Sequence, residues 1–276
     1  MNTKRRTQTG PARARDSAGR AVGCARRRRR PRRYAVLTGD VAGSSAAGGK
    51  GPSALPALME RAFARVAAAL PGVPHGRFDV YRGDSFQCVL RDPRLALRAA
   101  LILRCSLRSR SRPHSRRPAL DARIAVGIGT VSYLPSADTR ISTGQGDAFL
   151  RSGGLLDEMN RADDRIRFDT PWAEVREELD AEAALLDAIV RCWSARQSEA
   201  ICSMLAPEVP SRPGRRHRPP SVAKPPTQME VAARLGISQP ALHKMLRLSG
   251  YFAVEKLLRI HERRIGELLT GRSGRS

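Results

Sequence analysis

The sequence predicts a mixed α/β fold followed by an all-helical C-terminal part, and three observations predict it. Short β-prone runs alternate with helical stretches between residues 34 and 170. From Pro171 onward the apolar spacing is helical. A segment with seven prolines, residues 207–226, then separates one group of helices from the last. In order, the first part reads strand, helix, hairpin, helix, strand, helix, strand. That is the βαββαβ order of a ferredoxin-like sandwich with extra elements. The expected organisation is a disordered Arg-rich tail over 1–33 and an α/β domain over 34–170. A helical connector over 171–206, a Pro/Arg-rich linker over 207–226 and a helix-turn-helix unit over 227–270 complete it.

Each element has its own signal. Tyr34 to Leu37 is a short β-prone run that Gly39 is expected to end, leaving Asp40 at the start of a loop. Leu55, Leu58, Met59, Ala62, Val66 and Leu70 recur at helical spacing, and Pro71-Gly72 stops that helix. Phe78 to Arg82 and Ser85 to Leu90 flank Gly83-Asp84, a hairpin signal. Asp92-Pro93 opens the next helix as N-cap and first position. Residues 121–131 form the clearest strand: Ile124, Val126 and Ile128 alternate with Ala125, Gly127 and Gly129. The two glycines imply that a helix or a ligand packs close to that face. Residues 145–159 read as a helix, Arg165 to Phe168 as a short strand, and 172–195 and 195–205 as helices.

Charge is unevenly spread. The 276-residue chain carries a formal net charge of +24. Residues 1–33 contribute +12, residues 104–118 contribute +6 and residues 207–226 contribute +4. The tract 104–118 reads as an exposed loop, and all three tracts suit a polyanionic partner, nucleic acid first. Such tracts contact phosphate without reading sequence. The five cysteines include no CxxC pair, which argues against a disulfide framework or a zinc site and for a reducing cytoplasm. Cys88, Cys192 and Cys202 sit among apolar neighbours and read as core residues. No apolar run reaches the ~18 residues of a membrane span. The five histidines form no ligand set; His261 lies on a helix stripe and reads as packing.

Asp40 and Asp84 are the first candidate site. A strand end and a hairpin can bring two carboxylates together, and paired carboxylates suit a hard divalent cation such as Mg²⁺ or Mn²⁺. Gly43, Ser44 and Ser45 follow Asp40 and form a candidate phosphate-facing loop, because small residues leave backbone N–H groups open to an anion. Gly48-Gly49-Lys50 does not complete a Walker A loop, since Gly51 replaces the Ser/Thr that would hold Mg²⁺.

Several blocks occur in an order that resembles the SatD family of bacterial proteins. They are Thr38-Gly39-Asp40-Val41-Ala42-Gly43-Ser44-Ser45, Arg82-Gly83-Asp84-Ser85-Phe86-Gln87, Ala122-Arg123-Ile124-Ala125-Val126-Gly127-Ile128-Gly129 and Gly146-Asp147-Ala148-Phe149 with Ser152-Gly153. Trp193-Ser194-Ala195-Arg196-Gln197-Ser198-Glu199 follows, with a C-terminal helix-turn-helix behind it. More distantly, the first three blocks resemble the catalytic domain of class III nucleotidyl cyclases. That resemblance implies that Asp40 and Asp84 bind metal, that a nucleotide is the ligand and that two copies complete the site. Two departures argue against turnover. The Asn/Arg pair expected on helix 146–159 is replaced by Asp147 and Arg151, and Phe78 and Asp79 stand where a base-selecting Lys would.

The second candidate site is the C-terminal unit. Thr227 and Glu230 form a capping box, Gly236 suits a left-handed turn, and Ser238 caps the following helix. Ala233-Arg234-Leu235-Gly236-Ile237-Ser238-Gln239 resembles the helix-turn-helix of many bacterial regulators and sigma factors. Ser238, Gln239, Ala241, His243 and Lys244 are then the residues expected to meet DNA. Trp193 reads as a core anchor for this unit. Val254 to Leu269 is a last amphipathic helix that covers the unit or pairs two copies into a homodimer. The expected function is a cytoplasmic DNA-associated regulator whose α/β domain senses a nucleotide or a divalent metal. A metal-dependent nucleotidyl cyclase and a non-enzymatic scaffold in an acid- or stress-tolerance system are the alternatives.

Overall fold

The structure is a computed structural model that describes residues 31–42, 55–81, 83–110, 120–159, 163–206 and 225–271. The described residues from Arg32 onward belong to one compact unit. Its architecture is mixed α/β, a mostly antiparallel sheet with helices on both faces. In chain order the elements are β1 (Arg33–Ala42), α1 (Leu55–Ala69), β2 (Pro74–Tyr81), β3 (Ser85–Leu90), α2 (Ala96–Arg108), β4 (Asp121–Thr130), α3 (Asp147–Met159), β5 (Ile166–Asp169), α4 (Arg176–Arg191), α5 (Ala195–Leu205), α6 (Gln228–Leu235), α7 (Gln239–Leu248) and α8 (Tyr251–Thr270). The strands lie in the order β2-β3-β1-β4-β5, with only β4 and β5 parallel.

Period-two alternation gives the sheet two different faces. Ala35, Leu37 and Val41 of β1 join Leu55, Met59, Val66, Leu97 and Leu101 in the main core, under α1 and α2. Val36 turns the other way and packs with Val89, Ile141 and Ala148. The helix α3 lies on that second face, along β4. Gly127 and Gly129 let it do so: a Cβ on Gly127 would sit 2.3 Å from the Ala148 carbonyl oxygen, and one on Gly129 would sit 2.5 Å from Asp147 Oδ2. The close neighbour that these glycines imply is therefore a helix.

Gly39 does not end β1. The strand runs on through Asp40 to Ala42, pairing with β3 on one side and β4 on the other. The glycine is there because of crowding, since a Cβ would meet the Arg123 carbonyl oxygen at 2.3 Å and the Phe86 ring at 2.7 Å. Gly83 does serve the hairpin turn, with φ +83°.

The reading of 104–118 as an exposed loop needs correction. Residues 111–119 lie outside the described residues, but Arg104 and Arg108 belong to α2 and are buried. Arg104 Nε and Nη2 each donate to Asp121 at 2.8 Å, and Nη2 lies 2.7 Å from Asp187 Oδ1. Arg108 donates to Asp121 at 3.0 Å and, through Nη2, to the carbonyls of Arg191 and Trp193 at 2.9 Å, closing the C-terminal end of α4. Burial pushes the Asp121 carboxyl up, but the bonds and charges of Arg104 and Arg108 and the Ala122 N–H outweigh it and hold it below its usual value. Cys192 is also exposed rather than part of the core, whereas Cys88 and Cys202 are buried.

The C-terminal helices stack outside α1 and α2. Trp193 is buried and its Nε1 donates to the Ser249 carbonyl at 2.7 Å. Arg98 of α2 donates to Glu262 at 2.6 Å and to Glu255 at 3.2 Å, both on α8. His261 is fully enclosed, as its place on a packing stripe implies, with Nδ1 2.7 Å from Glu182 of α4. Among the described residues no helix is long and apolar enough to cross a membrane.

Removing one partner of a buried ion network leaves the others uncompensated and costs about 3–5 kcal/mol. Arg104→Met should lower the urea unfolding free energy by that order. Because the Asp121 carboxyl is held low in the folded state, its contribution is present above the ordinary carboxyl range of about 3.9. It should be lost as pH falls through the native value, so Asp121→Asn should flatten the acid side of the stability profile.

Candidate functional site

On the sheet face that carries α3, the helix covers β4 and part of β1, and Ile141 packs over Val89 of β3. Thr38 and Asp40 of β1, Gln87 of β3 and Arg123 of β4 share it by register: Thr38 opposes Gln87 and Asp40 opposes Arg123. Gln87 Nε2 donates to Thr38 Oγ1 at 2.9 Å, and that hydroxyl lies 2.8 Å from Ser152 Oγ of α3. All three residues are buried, so this chain fastens α3 to the sheet and leaves none of its members open to a ligand.

Asp40 does not project into a loop. Its carboxylate receives a two-pronged ion pair from Arg123, Nε to Oδ1 at 2.9 Å and Nη2 to Oδ2 at 2.6 Å. Both side chains are mostly shielded, at 18% and 23% exposure. Asp84 approaches from the hairpin, where its carbonyl accepts from Val41 N–H at 3.1 Å. The hydrogen bonds from Arg123 to Asp40, together with the charges of Asp40 and Asp84, raise the guanidinium's already high pKa despite partial burial. Asp40, Asp84 and Arg123 thus form one charged patch at the end of β1, as the sequence expects for the two aspartates. Gly43, Ser44 and Ser45 lie outside the described residues.

Mg²⁺ or Mn²⁺ needs carboxylate oxygens with free lone pairs and usually keeps several waters. As arranged, the donor set fits such an ion poorly. Both Asp40 oxygens are bonded to a resident cation. Arg123 is the residue that sequence reading missed. The available signal was an arginine three residues into an otherwise apolar strand, opposite Asp40 once the antiparallel register is known.

The pair Asp147 and Arg151 is also internally engaged. Arg151 donates to Asp147 at 2.9 Å, to Asp169 at 2.9 Å and to the Thr170 carbonyl at 3.1 Å. Asp79 accepts from the Ser142 hydroxyl at 2.6 Å.

At the other end of the chain, α6 starts as expected. Thr227 Oγ1 accepts from Glu230 N–H, and Glu230 reaches back to the Thr227 N–H at 2.7 Å. Gly236 has φ 63° and ψ 34°, and Ser238 Oγ accepts from Ala241 N–H to cap α7. Leu242 and Leu246 of α7 are buried, while Ser238, Gln239, Ala241, His243 and Lys244 are exposed on its outward side. Gln239 donates to the Gln228 side chain at 3.2 Å, and His243 Nδ1 lies 3.3 Å from the same oxygen. The five expected contact residues thus share one open surface with the start of α6.

If Arg123 holds Asp40 against metal, Arg123→Gln should expose the Asp40/Asp84 pair. Mn²⁺ affinity, read by the electron paramagnetic resonance signal of free Mn²⁺, should then rise at least tenfold on the scale where about 1.4 kcal/mol is a factor of ten. The double variant Arg123→Gln/Asp40→Asn should lose that gain. Compared with the models of known protein families and with curated proteins, the chain matches none.

Proposed function

We propose that the chain is a DNA-associated regulatory protein whose α6–turn–α7 unit acts as a helix-turn-helix and whose α/β part receives the input. The observation that carries this reading is the outward surface of α7. Gln239, Ala241, His243 and Lys244 stand exposed on a short helix whose opposite side, Leu242 and Leu246, is anchored in the core. A helix so presented, entered through a capped left-handed turn, suits insertion into a major groove. Gln239 and His243 offer hydrogen bonds to base edges, and Lys244 and the exposed Arg247 offer charge to phosphate. The blocks that resemble SatD proteins end in the same C-terminal helix-turn-helix, and cytoplasmic DNA is the partner this reading takes. The strand order β2-β3-β1-β4 is compatible with a ferredoxin-like core for the input part.

The cyclase reading has no comparable support. Its metal-holding aspartate is paired with Arg123, and the arginine of α3 is spent on Asp147 and Asp169. Nothing on either cluster is arranged to receive a developing negative charge.

Fluorescence anisotropy with the full chain and a pool of genomic DNA fragments, followed by the fragment it enriches, tests the proposal. Lys244→Ala should weaken binding to every sequence and reduce the slope of log affinity against log salt by about 1. Gln239→Ala should cost about 1–3 kcal/mol on the preferred fragment and little on others. Binding that survives both changes but disappears when residues 1–33 are removed would mean that the arginine tail alone holds DNA, and the helix-turn-helix reading would fall.

A further inference from the structure

A cavity of about 370 Å³ opens where the helices of the α/β part meet the C-terminal helices. Leu70, Val73 and Leu95 line it from the first part, and Met204 of α5 and Tyr251 of α8 line it from the second. Its size lies near the lower end of the roughly 300–1,000 Å³ typical of small-molecule sites, and such sites favour the junctions between structural units.

The polar part of the wall is chemically specific. Arg98, Arg259, Glu255 and Glu262 line it together, two cations and two carboxylates. Arg98 is engaged with both glutamates, at 2.6 Å and 3.2 Å, and Arg259 Nε lies 3.9 Å from Glu255. The wall therefore carries equal numbers of cations and carboxylates, and the Arg98 pairs leave it no strong net charge to attract an ion. Tyr251 is different. It is 7% exposed and lines the cavity, and its hydroxyl has no hydrogen-bond partner among the described residues. Burial and the nearby Glu255 push its pKa up to about 12, so at neutral pH it remains a phenol with a proton to donate.

We propose that this cavity binds a small neutral molecule with an apolar body and one hydrogen-bond acceptor, the acceptor being taken by the Tyr251 hydroxyl. The apolar wall accounts for affinity, the paired charges give an ion no strong attraction, and the phenol fixes orientation. Ala69, Leu70 and Leu95 belong to the α/β part, and α8 directly follows α7. A guest that fits one spacing of α8 against α1 and α2 better than another would shift the population of the α6–α7 unit. That effector role rests on the DNA-associated reading above; occupancy of the cavity does not.

Two neutral naphthalene probes of similar size test the site on the full chain. Prodan carries a ketone acceptor, and N-phenyl-1-naphthylamine carries none; neutral dyes avoid non-specific attraction to a chain of net charge +24. Both should bind saturably with a stoichiometry near one, seen as a rise in emission. Met204→Trp should fill the space and weaken both at least tenfold, with Ala69→Phe as a second filling variant should the first not fold. Tyr251→Phe should weaken Prodan about fivefold or more and leave N-phenyl-1-naphthylamine unchanged. Absent saturable binding, or binding indifferent to both filling variants, overturns the site. A Tyr251→Phe variant that treats the two probes alike overturns the assigned hydrogen bond. Saturable probe binding by a chain whose DNA binding is indifferent to Lys244→Ala and Gln239→Ala would support the site and overturn only its effector role.

Discussion

The Arg104 guanidinium is fully enclosed, and its charge can remain there because Asp121 lies 2.8 Å away and Asp187 lies 2.7 Å away. These residues belong to three separate segments: α2, the first position of β4, and α4. A buried charge without a partner is so unfavourable that the three segments must meet in one arrangement or not fold at all. Arg108 extends the constraint by closing the end of α4 just before Trp193, whose indole in turn holds the turn between α7 and α8. Arg104 Nη1 has no partner among the described residues. What the network does is define position, and the α/β part and the outer helices depend on that definition.

A second consequence of crowding is that the α3 face of the sheet is closed by its own side chains. Gly127 and Gly129 draw α3 down onto β4, and the Thr38–Ser152–Gln87 chain fastens it. Where α3 no longer covers the sheet, Arg123 reaches across to Asp40. An arginine fork satisfies a carboxylate in both geometry and charge, so the pair resists displacement more than a lone lysine would. A pattern of aspartates that resembles a metal site can thus coexist with a neighbour that removes the need for metal.

Signals confined to one element were legible in the sequence. The alternation of β4, the glycine-led close packing on it, the Thr227–Glu230 capping box and the left-handed Gly236 all follow from local chemistry at short spacing. What depended on another strand or helix was not legible. Gly39 looked like a strand end, because the Phe86 ring and the Arg123 carbonyl that crowd it come from different strands. Arg104 and Arg108 looked like part of a solvated arginine tract, because their partners Asp121 and Asp187 lie 17 or more positions from Arg104 in the chain. Arg123 looked like one more strand residue until the register set it opposite Asp40.

The way the outer helices are attached limits how any signal could cross the molecule. Trp193 to Ser249, Arg98 to Glu255 and Glu262, and His261 to Glu182 fix the turn before α8 and its middle to the α4–α5 turn, α2 and α4. By contrast, α6 and α7 touch the rest mainly through apolar side chains such as Val231, Leu242 and Leu246. Apolar contacts are non-directional and can slide, whereas the ion pairs under α8 hold a defined geometry. Among the described residues α6 and α7 thus lack the ion pairs that tie α8 to α2 and α4. The bonded contacts between the α/β part and α8 are those of Arg98 with Glu255 and Glu262, and α8 follows α7 after a two-residue turn.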